Sequence, residues 1–284
     1  MLQLKELNNK VTHNFTKINF WFLVFPFLIL LAIFLYFSFV LEGNFIKNYS
    51  AVQKDLFYFL NHKLSQFPSF QFNITQLGDA LIAFSFLSLL FAYAPKFWQA
   101  LLASSLLSLI VSAVLKRIFA MPRPAAVFNT DEFIIIGKKL TGATSLPSGH
   151  SMTIFMVITL LLYAFMPSKN KYKVFWTLLI LSLGLLFAFS RVGVGAHYPL
   201  DVIIGCLIGY SVAVLGIIIN EKKKWLNWIG NLKFYPVFIL LFIIFIASLT
   251  KKIFENNLVV FYLSIVALLI TLYLMITIYV KRKN

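Results

Sequence analysis

The chain has 284 residues, of which 61% are apolar or aromatic and 12% charged, with 32 phenylalanines and a mean hydropathy of +0.88. A charge content well under the usual ~25% cannot cover a soluble surface, so the composition excludes soluble folds and intrinsic disorder and puts lipid around most side chains. A single cysteine, Cys206, excludes an internal disulfide and Cys-rich metal sites, and the net charge of +16 is scattered through connectors, which suits anionic lipid headgroups and not nucleic acid.

Eight stretches follow along the chain that are free of charge apart from Glu42 at the end of the first. They mark candidate spans because a charge at the bilayer centre costs roughly 2.5 to 3.5 kcal/mol. In order they are 18–42, 80–95, 97–115, 150–167, 174–190, 202–220, 234–250 and 256–280. The first, third, sixth and eighth come near or exceed the ~20 residues of a spanning helix. The other four span only if flanking residues join the helix or the bilayer thins. The stretch 18–42 is too long for a signal-peptide core and lacks a small-residue cleavage site, so it reads as a retained helix. After it, 43–78 sets Tyr49, Phe57, Tyr58, Phe59 and Leu60 around Lys54 and Asp55, which suits a helix lying in the membrane interface or a plain connector. Its sequons at Asn48 and Asn73 match a pattern common by chance. Ala94-Pro95-Lys96 turns the second and third spans into a hairpin, since proline ends a helix and lysine prefers the interface. The fold class expected is all-α, a polytopic transmembrane helical bundle.

Eight spans put both termini and the even connectors on one side. That side holds 14 of the 25 Lys and Arg residues, including Lys5, Lys96, Lys222-Lys223-Lys224 and the tail Lys281-Arg282-Lys283, so the positive-inside rule makes it cytoplasmic.

Three sequence blocks then fall at span ends on the opposite face. Lys116 closes the third span with Arg123-Pro124 seven residues on. Pro147-Ser148-Gly149-His150 opens the fourth. Ser190-Arg191 ends the fifth, followed by His197 and Asp201 at the start of the sixth. A phosphate ester needs cations for its oxygens, a nucleophile and a proton donor for the leaving alkoxide. Arg123 and Arg191 offer bidentate forks, Lys116 a point charge, and Ser148-Gly149-His150 free amides where a helix begins. His197 and Asp201, four apart, share a helix face, so the carboxylate can hold one ring nitrogen and leave the other as a nucleophile. His150 is left as the acid. Taken singly, each block has a plain reading: Lys116 with Arg117 as interfacial cations, Arg123-Pro124 as a loop, Ser148-Gly149 as a cap, His197 with Asp201 as a structural pair. Their joint occurrence on one face argues against coincidence. His13 and His62 sit in polar connectors without metal-ligand spacing.

The blocks K-x6-R-P, P-S-G-H and S-R-x5-H-x3-D resemble the signature of the type 2 phosphatidic acid phosphatase superfamily, the lipid phosphate phosphatases, in its bacterial membrane-bound branch. The resemblance covers about residues 116–201. It implies a phosphatase that uses neither metal nor cofactor, with His197 as nucleophile, Asp201 orienting it, His150 as acid, and Lys116, Arg123, Ser148, Gly149, Ser190 and Arg191 binding phosphate. It also implies a six-span core, here residues 1–220, so that 221–284 adds two helices. The substrate implied is a lipid phosphate or diphosphate of the undecaprenyl diphosphate, phosphatidylglycerophosphate, phosphatidic acid or lipid A type, met at the outer face of a bacterial inner membrane with both termini cytoplasmic. A lipid-to-lipid phosphotransferase would use the same residues. A transporter lined by Lys116, Arg123 and Arg191 predicts ionisable groups near midspan, but these cluster at one end of the helices. A serine hydrolase built on Ser148 lacks a G-x-S-x-G elbow and gives the cations no task.

Overall fold

The computed structural model describes residues 2–283. The side chains of residues 2–5, 40, 282 and 283, among them Lys5 and the tail cations Arg282 and Lys283, lie outside that description. The chain runs through α1 (Leu2–Phe15), α2 (Val24–Leu35), α3 (Phe45–Val52), α4 (Lys54–Leu64), α5 (Pro68–Thr75), α6 (Ala80–Leu87), α7 (Pro95–Phe119), α8 (Pro124–Val127), α9 (Gly149–Ala164), α10 (Asn170–Gly193), α11 (Pro199–Lys223), α12 (Tyr235–Glu255) and α13 (Val259–Lys283). No strand occurs among the described residues. The fold is the all-α membrane bundle expected from hydropathy.

Every apolar stretch is helical, but among the described residues six and not eight of the helices reach spanning length: Phe20–Phe39, Pro95–Val127, Asn170–Gly193, Pro199–Lys223, Leu232–Glu255 and Val259–Lys281. Of the other two, α9 has only 16 residues, about 24 Å at 1.5 Å per residue against a hydrocarbon core of about 30 Å. The remaining one is broken. Pro68–Gly78 and Ala80–Leu90 meet at an angle of 78°, where the Asp79 side chain accepts from Leu81 N and starts a new helix. A gap between charges measures the absence of charge, and it cannot report whether the helix inside it is continuous.

Segment 43–78 is three short helices, not one interfacial helix. Asn44 caps α3 through the amides of Ile46 and Lys47, and Pro68 occupies the first turn of α5, where its missing N–H is harmless. The N-terminal stretch is also helical. In α1, Val11 and Phe15 are buried, and Asn14 Nδ2 donates to the carbonyls of Ala164 and Met166 at the end of α9.

At the centre stands α11, two-thirds of whose apolar window (67%) is buried, packed between α9 and α7. Gly205 permits the close approach to α9: a Cβ there would stand 2.7 Å from the carbonyl oxygen of Ser148. By contrast the span 20–39 is 11% buried and shows Trp21, Phe25, Phe27 and Phe39 to lipid. Because α7 and α10 end where α9 and α11 begin, Lys116, Arg191, the Ser148 cap and Asp201 meet at one end of the bundle.

Candidate functional site

Asp201 lies in the first turn of α11 with no exposed surface. Its Oδ1 accepts from the Tyr49 hydroxyl at 2.9 Å. Its Oδ2 accepts from the Ser145 hydroxyl at 2.5 Å, the Tyr198 amide at 3.0 Å and His197 Nδ1 at 3.3 Å. Three donors thus crowd Oδ2 and one reaches Oδ1, so both oxygens of the carboxylate are hydrogen-bonded. The Tyr198 amide is one of the orphan donors of the helix start, so the same bond that holds the carboxylate also caps α11. Gln53 adds to the cap by accepting from Leu200 N at 2.7 Å, and its own amide donates to the Tyr49 carbonyl.

His197 is buried in the turn between α10 and α11. Its Nε2 stands 3.2 Å from Arg123 Nη1. Arginine has only donors, so Nε2 presents a lone pair and Nδ1 carries the proton toward Asp201. Burial first, then the fields of Arg123, Arg191 and Lys116, hold His197 well below the usual histidine value. The ring is therefore neutral at neutral pH, as a nucleophile must be.

Three cations surround that nitrogen. Arg123 follows the loop after α7 and starts α8, its amide donating to the Gly142 carbonyl and its Nη1 also to the Ala196 carbonyl at 3.0 Å. Arg191, buried at the end of α10, donates from Nη1 to Thr75 Oγ1 at 2.9 Å, while its Nε has no partner. Buried donors are nearly always satisfied, and an open guanidinium N–H among cations is chemically suited to an anionic acceptor. Lys116 Nζ lies beside Gly149, 3.4 Å from where a Cβ would stand.

The other residues singled out in the sequence take these places. Ser148 is buried and caps α9, its hydroxyl accepting from both the amide and the hydroxyl of Ser151, and its amide donates to the Asp201 carbonyl at 3.1 Å. This leaves the first-turn amides of Gly149 and His150 without helical partners. His150 is half-buried, within electrostatic reach of Arg191, His197, Lys116 and Arg123. Ser190 is buried, with its hydroxyl donating to the Phe187 carbonyl at 2.5 Å. Among the described residues, no group of three or more His, Cys, Asp or Glu is arranged to hold a metal.

Sequence reasoning missed Ser145, Tyr49 and Thr75 as site residues. Ser145 lies three residues before Ser148 and carries no pattern of its own. Thr75 belongs to the Asn73 sequon, whose asparagine is in use as well: its Nδ2 donates to the Ser69 carbonyl and its Oδ1 accepts from Val260 N. Asn61 closes the outer wall, its Nδ2 donating to the Ile134, Val192 and Gly193 carbonyls and its Oδ1 accepting from Ile134 N.

A helical bundle that sets a buried His-Asp pair among three cations has the chemistry to receive a phosphate group. Residues 97–225, which hold all three motifs, match the model of the PAP2 superfamily. A curated relative, the undecaprenyl-diphosphatase of Sulfolobus acidocaldarius, is 32% identical over 136 residues, covering 48% of this chain and 61% of its own length. Among solved structures, Aquifex aeolicus LpxE superposes with a TM-score of 0.48 at 25% identity, over 59% of this chain and 95% of that one.

Burial and the neighbouring Asp201 hold the Tyr49 phenol well above its usual range, so it remains a donor at all ordinary pH values. Tyr49→Phe and Ser145→Ala each remove one donor from a buried carboxylate, a loss that costs about 1 to 3 kcal/mol. Each should lower the unfolding midpoint in detergent by several degrees. Unchanged midpoints in both would show that Asp201 does not depend on them.

Proposed function

We propose that the protein is a membrane phosphatase that removes phosphate from a lipid phosphate or diphosphate through a phosphohistidine. The observation that carries this reading is the lone pair of His197 Nε2, set among Arg123, Arg191 and Lys116 with Asp201 behind the ring. In the first step Nε2 attacks phosphorus. The P–N bond forms, the ester P–O bond breaks, and the departing alkoxide takes its proton from His150, which is protonated only once the anionic substrate offsets the charge of Arg191, Lys116 and Arg123. Arg123 leaves Nε2 for the phosphate oxygens, joined by the open Nε of Arg191, Lys116 and the first-turn amides of Gly149 and His150. His150, now neutral, removes a proton from water, whose oxygen attacks the phosphohistidine. Inorganic phosphate leaves, and His197 and the protonated His150 are restored.

Metal independence is supported by the same donors, since the one carboxylate at the site already accepts four hydrogen bonds and three cations can balance the phosphate charge. The name of the archaeal relative supports the diphosphate end of the substrate range. The core is residues 1–220, four helices of spanning length together with the short α9 and the bent pair 68–90, and 221–284 adds two more. The site faces outward, with both termini in the cytoplasm of a bacterial inner membrane, a reading supported by the Lys-rich turns at the opposite end of the bundle.

Purified protein should release phosphate from undecaprenyl diphosphate, phosphatidylglycerophosphate, phosphatidic acid or a lipid A phosphate in EDTA. His197→Ala should be inactive on every substrate. His150→Ala should be crippled on the lipid yet partly rescued on p-nitrophenyl phosphate, whose leaving group needs no proton. Rescue of His197→Ala in place of His150→Ala reverses the two roles, and loss of all activity in EDTA overturns the metal-free mechanism.

The acid limb of kcat/KM reports protonation of the free nucleophile. With His197 held well below the usual histidine value, that limb should lie below pH ~6.5. Removing a neighbouring cation raises the histidine, so Arg123→Gln should move the limb upward while lowering the rate by ~10²–10³. A limb that stays in place would exclude His197 as the titrating group.

For the topology, a cysteine placed at Lys138 in a Cys206→Ser background should react with an impermeant maleimide from outside the cell, and one at Lys171 only after lysis. The opposite pattern inverts the protein.

A further inference from the structure

Two helices, α12 and α13, follow the stretch that matches the family, and three of their polar contacts reach one segment of the bundle. That segment is 68–90, the helix pair bent by 78° at Asp79. Val260 N donates to Asn73 Oδ1 at 3.1 Å on one arm of the bend, and the hydroxyls of Thr271 and Ser88 share a buried hydrogen bond of 2.7 Å on the other. Between them, at the bend, Lys252 Nζ pairs with Asp79 Oδ2 at 2.8 Å. The Lys252 ammonium also lies over the Phe261 ring, 5.9 Å from its centroid.

The other side of this segment forms a wall of the site. Thr75 Oγ1 accepts the Arg191 bond. Gly78 is pressed against the base of His150, so closely that a Cβ at 78 would stand 2.6 Å from His150 Cβ. The Asp79 carboxylate is thus shared: Oδ1 starts α6 by accepting from Leu81 N, and Oδ2 faces the C-terminal hairpin. A break between two helices has no continuous hydrogen-bond ladder to fix its angle. Something outside the break must hold it.

We infer that Lys252 is a positioning residue of the phosphate site: by holding Asp79 it fixes the bend that seats Gly78 against His150 and Thr75 against Arg191. This gives the two C-terminal helices a task in the reaction, with no residue of theirs touching the phosphate. It rests on the phosphatase reading for its catalytic consequence and on geometry alone for the brace. As a partly exposed pair, with side chains 32% and 27% accessible, Lys252–Asp79 adds little to global stability. Its effect falls on the placement of a proton donor, where an ångström of displacement can cost ~10²-fold in rate.

The test compares Lys252→Met, Lys252→Arg and Asp79→Asn with Lys251→Met, a change of the exposed neighbouring lysine. Asparagine keeps the cap on Leu81 and removes only the charge. Two readouts are needed: kcat and KM on whichever lipid phosphate the wild type hydrolyses and on p-nitrophenyl phosphate, and amide hydrogen exchange across 75–82. Lys252→Met and Asp79→Asn should lower kcat on the lipid on the order of tenfold with KM little changed, short of the ~10²-fold cost of full misplacement. They should lower it less on p-nitrophenyl phosphate, and exchange across 75–82 should quicken. Lys252→Arg should restore both readouts, and Lys251→Met should match the wild type. If Lys252→Met behaves like Lys251→Met in kcat, or loses equally on both substrates, the positioning role is overturned. If the wild type hydrolyses no phosphate ester, the phosphatase reading fails by itself, and the brace is still decided by exchange: unchanged rates in Lys252→Met overturn it.

Discussion

A carboxylate without exposed surface at the end of a membrane bundle is the constraint around which this structure is arranged. Isolated, a buried charge is among the most costly groups a protein can hold, and it persists only when its lone pairs are filled. Asp201 draws its donors from three separate stretches of chain: Tyr49 from α3, Ser145 from the loop before α9, and Tyr198 with His197 from the turn before α11. The short helices between 45 and 75 and the loop after α8 are therefore more than connectors. They supply and support donors that the carboxylate requires, and in doing so they close over the site. The same bonds set the histidine, since the oxygen that accepts from Tyr198 N and Ser145 also fixes which ring nitrogen of His197 carries the proton.

The cations pose the opposite problem. Lys116, Arg123 and Arg191 converge on one histidine with a single carboxylate behind it, and repulsion among them is only partly balanced within the protein. Arg123 rests on the Ala196 carbonyl and the lone pair of His197, and Arg191 on Thr75 with its Nε left open. Each of these resting contacts is weaker than the charge-assisted pair that a phosphate oxygen would form. An arrangement of this kind favours the approach of an anion, and it keeps the His197 ring neutral.

Packing makes this precision possible in a bundle whose helices have no solvent to drive them together. Small residues let backbones approach, as in membrane helices generally: Gly205 brings α11 against the carbonyl of Ser148, and Gly78 brings the bent segment against His150. Through the first contact the second and third motifs are joined directly, with Ser148 N donating to the Asp201 carbonyl. Through the second, the C-terminal hairpin gains a mechanical connection to the site by way of Asp79 and Lys252.

The amino-acid sequence by itself determined the membrane class, the helical character of all eight apolar stretches, and the convergence of Lys116, Arg123, His150, Arg191, His197 and Asp201 on one face. Each of these follows from properties that are local in the chain. Absence of charge is read residue by residue, the i, i+4 spacing of His197 and Asp201 is a helix property, and antiparallel spans with short turns bring alternate ends together whatever their packing. Only the tertiary structure decided that six helices reach spanning length, that the helix pair 68–90 bends at Asp79, that α1 folds under α9, and that Tyr49, Ser145 and Thr75 belong to the site. Tyr49 and Asp201 are joined across 152 residues and Arg191 and Thr75 across 116, and nothing near Tyr49 or Thr75 in the chain marks them. A hydroxyl that meets a buried charge is selected by where two helices cross, and that crossing is set by the packing of the whole bundle.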